Sequence, residues 1–443
     1  MRRHYIVGGL LLMLLVVALV AAACGGTTTT TTAAPTTTAA PSTETTAAPS
    51  TDTTAAPTET TAATTATTAA AGPATGEPIK IGLSNSLTGS GAAPGASFGN
   101  GIKLQIDYVN QNGGINGRPL QLVDYDDKSD VPTLIANLNK LIQQDKVFAT
   151  VGPFVQYGQE PARQVAEQNK VPMVGDGPAT LAQLKGTQYQ WSVMTAAAPP
   201  PQADAVEKVI KASGWKNVIG MADVLTIDQE TLDLVGQAAS AGGYKFTKMK
   251  DTFGFDQQDF QPILNKIMDQ INTLKPDAII LYVNPIAFPV MYKGLRGLNV
   301  TLPILAGTAC AHPAIFAQGP QAVEGAYVMD SGGNVNPAAL PDSWPSKALQ
   351  VDFAQRYQAK YKAAPDFFAA DGADVVTVLV AAMKQAGELD QAKVAQALVS
   401  LKDLPTLEGL INFTPDATSM GIHGNMVEWQ VKNGQFVLVN TIN

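Results

Sequence analysis

Short apolar runs alternate with stretches of helical spacing from residue 78 onward. Residues 79–83 form a short apolar run, which predicts a strand, and residues 96–110 carry apolar side chains at helical spacing, which predicts a helix. Residues 120–123 and 132–145 repeat this strand and helix. Because strand and helix alternate with short loops, the pattern predicts a parallel, doubly wound sheet with right-handed crossovers.

Two further predicted strands, residues 148–152 and 171–174, flank a predicted helix at residues 159–169. Each of these strands runs into a loop rich in glycine and polar residues. Successive parallel strands place their C-terminal loops side by side at one edge of the sheet, which is where ligands bind in open α/β sheets. We therefore expect ligand contacts in the loops that follow these two strands.

A second region of the same kind begins near residue 199. Its predicted strands are residues 217–221, 278–283, 303–306 and 323–328, and its predicted helices are residues 203–213, 227–241, 260–274 and 291–298. Helices at residues 346–363 and 369–386 and a β-like pair at residues 426–430 and 436–439 complete the chain. The pattern predicts an α/β protein with two doubly wound, parallel-sheet lobes.

The N-terminus, residues 1–24, has the order of a secretory signal. A basic start is followed by apolar residues 5–20 and then by small residues that end at Cys24. This resembles a bacterial lipoprotein signal, in which cleavage leaves Cys24 as the lipidated N-terminus. The alternative is an uncleaved anchor, because residues 5–23 are about long enough to span a bilayer. Either interpretation places the remaining chain outside the cytoplasm, attached to the cell membrane.

Residues 25–77 are predicted to form a disordered stalk. Residues 27–72 are almost entirely Thr, Ala, Pro and Ser, and Glu44, Asp52 and Glu59 are their only charges. Such a segment has too few large apolar side chains to offset the entropy of ordering. A flexible chain of this length has an r.m.s. reach of roughly 35–40 Å. We expect the folded part to move above the membrane while it stays attached.

Charge and residue usage exclude several classes of function. The net charge is −8 and no Lys/Arg run is present, which argues against a nucleic-acid partner. Of the two cysteines, Cys24 and Cys310, only Cys310 lies in the predicted folded part, where we expect a small buried hydrophobe and no internal disulfide. His4, His312 and His423 fit no metal-ligand spacing, so no metal or cofactor is expected.

Three short motifs resemble functional sites, but each match is weak. Residues 95–99 match the G-x-S-x-G string of serine hydrolases, but no strand directly precedes them, so we do not expect an enzyme. The glycines of residues 89–95 resemble a phosphate loop without the Lys-Ser/Thr that such a loop requires. The acidic run at residues 124–127 suits either a cation or a solvated loop at a strand end, and we favour the loop.

Several segments together resemble the leucine/branched-chain amino-acid type of periplasmic binding protein. These are type I solute-binding proteins of ABC importers. The most specific segment is the turn Gly-Gly-Ile-Asn-Gly-Arg-Pro-Leu at residues 113–120. The other segments that fit are residues 79–83, 87–89, 126–127, 151–153, 171–173 and 323–325. The resemblance extends from about residue 78 to the C-terminus, and the lipoprotein signal and stalk are typical of lipid-anchored versions.

The resemblance implies two lobes joined by a three-strand hinge, in the arrangement of a Venus flytrap. The crossings are expected near residues 192–195, near residues 329–331 and after residue 415. The N-terminal lobe would then hold residues 78–195 and 331–420, and the C-terminal lobe residues 196–330 and 421–443. Closure about the hinge would trap a small molecule and present it to the permease subunits of an ABC importer. We expect a monomer.

Topology and resemblance together place the ligand contacts at strand ends of both lobes. The candidate residues are Phe154, Gln156, Tyr157, Gly158, Asp176, Gly177, Ala179, Asp223, Ile227, Asn284, Thr308 and Phe367. Gly158 stands where amino-acid-binding members of the family have a serine that holds the ligand carboxylate. In their C-terminal lobe these members also have a tyrosine and an acid that pairs with the ligand ammonium, and Ile227 and Thr308 stand near those two positions. The ligand alternatives are therefore an amino acid, a polyol, an amide, a cation, or an apolar or aromatic compound that stacks on phenylalanine.

A sensor of the same fold that passes closure to a signalling partner is the alternative function. A sensor needs a rigid connection between the ligand-binding domain and its membrane segment. The predicted stalk is long and flexible and transmits no conformational strain, so the sequence favours the transport receptor.

Overall fold

The computed structural model describes residues 72–154, 158–177, 180–181, 189–254, 257–413 and 426–442. The predicted signal with Cys24 and most of the predicted stalk lie outside the described residues, and so do Gln156, Tyr157 and Ala179. All described residues belong to one compact unit, residues 67–443.

The first part of the described chain forms a five-stranded parallel sheet with order β2-β1-β3-β4-β5. Its strands are β1 (Ile79–Asn85), β2 (Leu120–Asp126), β3 (Ala149–Val151), β4 (Met173–Gly175) and β5 (Ser192–Met194). Its connecting helices are α1 (Ala92–Gln111), α2 (Val131–Gln143) and α3 (Gln159–Asn169). The order confirms the parallel, doubly wound sheet that the apolar periodicity predicts.

The chain then passes into a second sheet. The next helices are α4 (Pro199–Ala212), α5 (Thr226–Gly242), α6 (Gln261–Leu274) and α7 (Ala287–Gly297). The strands among and after them are β6 (Asn217–Ala222), β7 (Lys245–Lys248), β8 (Ala278–Tyr282), β9 (Ile304–Ala306) and β10 (Tyr327–Ser331). Strands β6 to β10 pair in parallel, as in the first sheet.

The last part of the chain adds three helices, a small separate sheet of two strands, and two strands of the second sheet. Its helices are α8 (Lys347–Tyr361), α9 (Phe367–Ala386) and α10 (Gln391–Leu398). Its strands are β11 (Leu404–Thr406), β12 (Gly409–Ile411), β13 (Met426–Lys432) and β14 (Gln435–Ile442). Strands β13 and β14 add antiparallel to β10, which gives a seven-stranded sheet of order β14-β13-β10-β9-β8-β6-β7.

We call the five-stranded sheet with its helices the N-terminal lobe and the seven-stranded sheet with its helices the C-terminal lobe. Helix α9 returns to the N-terminal lobe and packs directly on α1. A Cβ atom at Gly101 would lie 1.9 Å from the carbonyl oxygen of Ala369, and one at Gly372 would lie 2.1 Å from that of Phe98. Two glycines therefore allow the backbones of α1 and α9 to approach closely.

Both sheets are covered on both faces, which explains the continuous apolar runs in their strands. Ile81 and Leu83 of β1 are buried with Phe98 of α1 in the N-terminal lobe. Ile279 and Leu281 of β8 are buried in a separate cluster of the C-terminal lobe. Strands covered on both sides lack the alternating polar positions of a half-exposed strand.

Two predicted boundaries in the N-terminal lobe are wrong. Helix α1 begins at Ala92, before the predicted start, and β2 continues to Asp126, so the acidic run is mostly strand and not loop. The strand continues because these side chains accept hydrogen bonds from a neighbouring loop, as described below. The predicted helix at residues 159–169 is confirmed as α3. The short elements β7, α10, β11 and β12 have no counterpart in the predicted set.

The G-x-S-x-G string lies within a helix. Residues 95–99 belong to α1, and the hydroxyl of Ser97 donates a hydrogen bond to Asp366. A nucleophile elbow needs a sharp turn between strand and helix. Ser97 therefore has a structural partner and lacks the geometry of a nucleophile.

Candidate ligand-binding cleft

The rim of the N-terminal lobe begins with the loop between β1 and α1, which is held by carboxylates of the β2 end. Asp126 Oδ1 accepts hydrogen bonds from the N–H groups of Leu87 and Thr88, both at 3.1 Å. Asp127 Oδ1 accepts one from Ser86 Oγ at 2.7 Å. The two acids have protein donors, so the structure supports a loop-anchoring role for them.

The same two acids show opposite pKa shifts. Burial raises the pKa of Asp126, but hydrogen bonds from Thr88, Lys128 and Leu87 outweigh burial, and the pKa lies below its ordinary value. Burial dominates at Asp127 and raises the pKa of that carboxyl. Asp126 therefore stays ionised and fixes the loop by charge-assisted hydrogen bonds.

Phe154 follows β3 at the rim and is part of an aromatic cluster. Its ring centroid lies 5.1 Å from that of Phe368 in an edge-to-face arrangement and 5.8 Å from that of Phe98. Phe367 continues the cluster at 5.5 Å from Phe368. Phe154, Phe367 and Phe368 are half-buried, so this side of the cleft has an apolar, aromatic wall.

Gly158, Asp176 and Gly177 lie at the predicted strand ends. Gly158 is the residue before α3, and Asp176 follows β4 directly. Asp176 is only 5 % exposed, and burial raises the pKa of its carboxyl to about 7 against the opposing hydrogen bond of the Gly177 N–H. The nearby Asp374 carboxyl also raises this pKa. Asp176 is thus a poor permanent counter-charge at neutral pH.

Asp176 is the outer member of a group of buried carboxyls. Asp374 accepts hydrogen bonds from the N–H groups of Leu407 at 2.9 Å and Glu408 at 3.0 Å, which fixes α9 to the turn between β11 and β12. The carboxyls of Asp371 and Glu408 hydrogen-bond to each other, so one of them carries a proton. Within the described residues, no group of His, Cys, Asp and Glu has the arrangement of a metal site.

In the C-terminal lobe, the predicted polar contacts at strand ends hold loops. Asp223 is fully buried, and its oxygens accept hydrogen bonds from the N–H groups of Leu225 and Asn284, both at 3.0 Å. Asn284 Oδ1 accepts from the N–H groups of Ile286 at 3.1 Å and Ala287 at 3.0 Å, where α7 begins. Burial raises the pKa of Asp223.

The other predicted contacts of this lobe are also placed at the rim or just beneath it. Ile227 is buried in the first turn of α5. Thr308 Oγ1 donates a hydrogen bond to Gln202 Oε1 at 3.2 Å. Cys310 is a buried free thiol that donates to the carbonyl of Val283, which confirms the expected small buried residue.

Two contacts join the lobes across the cleft. The N–H of Leu181, in the loop after β4, donates to Glu230 Oε2 of α5 at 2.7 Å. His312 Nε2, in the segment after β9, lies 3.8 Å from Asp366 Oδ2 at the start of α9. The sequence pattern does not single out Glu230 or Asp366, and for His312 it indicates only that no metal-ligand spacing is present. The one indication for Asp366 in the sequence is its position directly before a helix, which is typical of a helix-capping residue.

Comparison with known proteins agrees with this architecture. Residues 78–435 match the family model described as periplasmic binding protein. The chain belongs to the periplasmic binding protein family. A Leu/Ile/Val-binding protein of Rhizobium johnstonii is 26% identical over 356 residues, which cover 80% of this chain and 92% of that protein.

Solved structures show the same fold. A leucine-binding protein of Thermotoga maritima has a TM-score of 0.67 and 25% identity over 82% of this chain and 99% of that one. A solute-binding protein of an ABC transporter from Rhodopseudomonas palustris, in complex with benzoate, has a TM-score of 0.66 and 20% identity over 82% of this chain and 96% of that one. The fold is therefore that of a type I periplasmic binding protein with two lobes.

Membership of this family makes the chain a solute-binding protein, and the relatives described above are binding proteins. Periplasmic binding proteins act outside the cytoplasm. Across the described ranges, no helix combines the length and the apolar character that crossing a bilayer requires.

Proposed function

We propose that this protein is a lipid-anchored receptor that captures a small molecule between its lobes and delivers it to the permease of an ABC importer. The observation that carries the proposal is the pair of rims facing each other across the cleft, in contact at Leu181 and Glu230. Each rim is formed by the loops at the C-terminal ends of parallel strands, which is the usual ligand position in such sheets. The names of the relatives support a role in solute transport.

The lobe boundaries are part of this proposal. We assign residues 78–195 and 331–420 to the N-terminal lobe, and residues 196–330 and 421–443 to the C-terminal lobe. The change of sheet between β5 and α4 and the position of β10 in the second sheet support the first two crossings. The third crossing falls in residues 414–425, outside the described ranges.

For the ligand, we infer an amino acid or a related small compound with an apolar or aromatic body. The half-buried rings of Phe154, Phe367 and Phe368 support an apolar body. Relatives named for leucine, isoleucine and valine and the distant benzoate complex set the range of compounds to test. The proposed contact residues are Phe154, Gln156, Tyr157, Gly158, Asp176, Gly177, Ala179, Asp223, Ile227, Asn284, Thr308 and Phe367.

A thermal-unfolding screen tests the proposed function. The protein would be heated with leucine, isoleucine, valine, benzoate, other aromatic acids, amides, polyols and polyamines. A compound present at 100 times its Kd stabilises the folded state by about 2.7 kcal/mol, which gives a clear rise in Tm. We expect at least one amino acid or aromatic acid to raise the Tm.

Variants of the aromatic wall test whether a compound that raises the Tm binds in the cleft. Phe154→Ala should reduce the rise in Tm, whereas Phe316→Ala, which removes a half-buried ring of the C-terminal lobe packed on Phe436, should not. A library of these classes that leaves the Tm unchanged would argue against a transport receptor and for a partner-binding role.

A further inference from the structure

His312 is held in a fixed orientation within the C-terminal lobe. Its Nδ1 accepts a hydrogen bond from the N–H of Ala314 at 2.9 Å and so caps the short helical turn Pro313–Phe316. Because Nδ1 acts as an acceptor, the proton of the neutral ring belongs on Nε2. That nitrogen is buried, makes no hydrogen bond within the described part of the chain, and faces the other lobe.

Asp366 presents a matching carboxylate from the N-terminal lobe. Its Oδ1 accepts hydrogen bonds from the N–H of Ala369 at 2.9 Å and from Ser97 Oγ, which fixes the carboxylate at the start of α9. Its Oδ2 lies 3.8 Å from His312 Nε2. Burial raises the pKa of Asp366, but the nearby His312 imidazole and the hydrogen bonds from Ser97 and Ala369 outweigh burial and hold this pKa below its ordinary value.

The surroundings of this pair favour an interaction between the lobes. The side chains of His312 and Asp366 are 17% and 24% exposed, so solvent only partly screens the pair. The imidazole ring also lies against Phe368, with 5.4 Å between the ring centroids. A charge-assisted hydrogen bond would need an approach of about 1 Å more, since such bonds span roughly 2.7–2.9 Å. A small further closure would complete the bond.

We propose that His312 and Asp366 form a latch that holds the two lobes together across the cleft. The latch joins protein atoms only, so it stabilises the closed arrangement whichever compound enters the cleft. It lies beside the aromatic wall, because Phe368 contacts both His312 and Phe154. The proposal rests on the proposed function in one respect, namely that closure of the lobes is the event that a ligand drives.

The distance between the two rims tests the latch without a ligand. Spin labels would be attached to Leu87→Cys and Ile286→Cys in the full chain carrying Cys24→Ser, and double electron–electron resonance would give the distribution of distances. Leu87 and Ile286 are 40% and 76% exposed and lie on opposite rims. Cys310 is fully buried and should not react with the label.

Two conservative variants remove the latch and keep the local caps. In His312→Asn the amide oxygen can still accept from Ala314, and in Asp366→Asn it can still cap α9. Asp390→Asn is the matched control, because Asp390 caps α10 through the N–H of Lys393 at 2.9 Å, on a helix that carries neither latch residue. These variants separate the interlobe contact from helix capping.

In the ligand-free chain we expect the fraction of short distances to fall about two- to five-fold in His312→Asn and in Asp366→Asn, which corresponds to the modest energy of partly exposed contacts that involve a charged group. The double variant should lose no more than either single variant, since both members belong to one contact. Asp390→Asn should match the unchanged chain. Distributions that are equal in all variants, or an unchanged chain without short distances, would overturn the latch.

Addition of L-isoleucine or benzoate to the unchanged chain gives a separate result. A shift toward short distances supports ligand-driven closure, the basis of the proposed function. If the latch variants differ in buffer but no compound of the screen shifts the distances, the latch stands and the proposed function fails. If a compound shifts the distances and the variants do not differ, the latch fails and the proposed function stands.

Discussion

Glu408 illustrates a polar residue whose role depends on its burial. Its carboxyl is buried beside Asp371 and Asp374, where α9 meets the turn between β11 and β12. Burial raises the pKa of Asp374 to about 7 and that of Glu408 to about 8. Such groups prefer to be protonated in the folded state, unlike the exposed carboxylates of the surface.

The direction of these pKa shifts predicts an unusual pH dependence of stability. A carboxyl whose pKa is raised on folding stabilises the folded state fully below its unfolded pKa, near 4, and this contribution is lost as the pH rises through the folded pKa, about 7 to 8. We expect the free energy of unfolding to fall by on the order of 2 kcal/mol between pH 5 and pH 8, measured by urea denaturation.

Glu408→Gln tests the source of that pH dependence. The amide does not titrate, so the loss of stability between pH 5 and pH 8 should be smaller than in the unchanged chain. Glu388→Gln is the control, because the Glu388 side chain is 55% exposed. If both variants keep the full slope, other groups carry the pH dependence.

Among the elements, α1 and α9 show how two helices distant in the chain become one unit. Gly101 and Gly372 let the helix backbones approach until side chains at these positions would overlap carbonyl oxygens. This contact places the start of α9, with Asp366 and Phe368, at the cleft rim. The position of the aromatic wall and of the latch therefore depends on helix packing.

Gly101→Ala should separate α1 from α9. The added methyl would lie 1.9 Å from the Ala369 carbonyl oxygen, so the backbones must shift, and overpacking of this kind costs about 1–3 kcal/mol or more. Gly297→Ala is the matched control in α7, where a Cβ atom meets nothing within 4 Å. There alanine should be neutral or stabilising by up to about 1 kcal/mol. Equal unfolding free energies for the two variants would contradict the close helix contact.

For the whole molecule, attachment to the membrane depends on Cys24. If Cys24 becomes a lipidated N-terminus, cells fed a clickable fatty acid should label the unchanged chain and the Cys310→Ser variant. Cys24→Ser should not be labelled. Cys310 is buried and so is the natural control for an unspecific thiol reaction. Absence of label in every chain would favour the uncleaved anchor over the lipoprotein.

The sequence predicts some helices and strands well and others poorly, according to how strong their apolar pattern is. The apolar spacing and flanking residues of α3 predict its bounds, and the buried runs of β6 and β8 predict strands. The edge strand β7 has the sequence Lys-Phe-Thr-Lys, whose single large apolar residue is too little to predict a strand. The acidic sequence at the end of β2 favours a loop, because the hydrogen-bond donors that hold Asp126 in the strand belong to another loop, 38 residues or more away.

Apolar runs and helical spacing specify the alternation of strand and helix, two largely parallel sheets and the resemblance to the family, because a strand buried on both faces is a continuous apolar run and a helix buried on one face has an apolar stripe. The sequence also placed Phe154, Gly158 and Asp176 at strand ends. The roles of Asp223 and Asn284 in holding loops and the contact of His312 with Asp366 follow from the folded chain and have no signal in the local sequence. The spacing of apolar residues along the chain indicates which residues are buried. The partner of a polar side chain, however, depends on which distant segments the tertiary fold brings next to it.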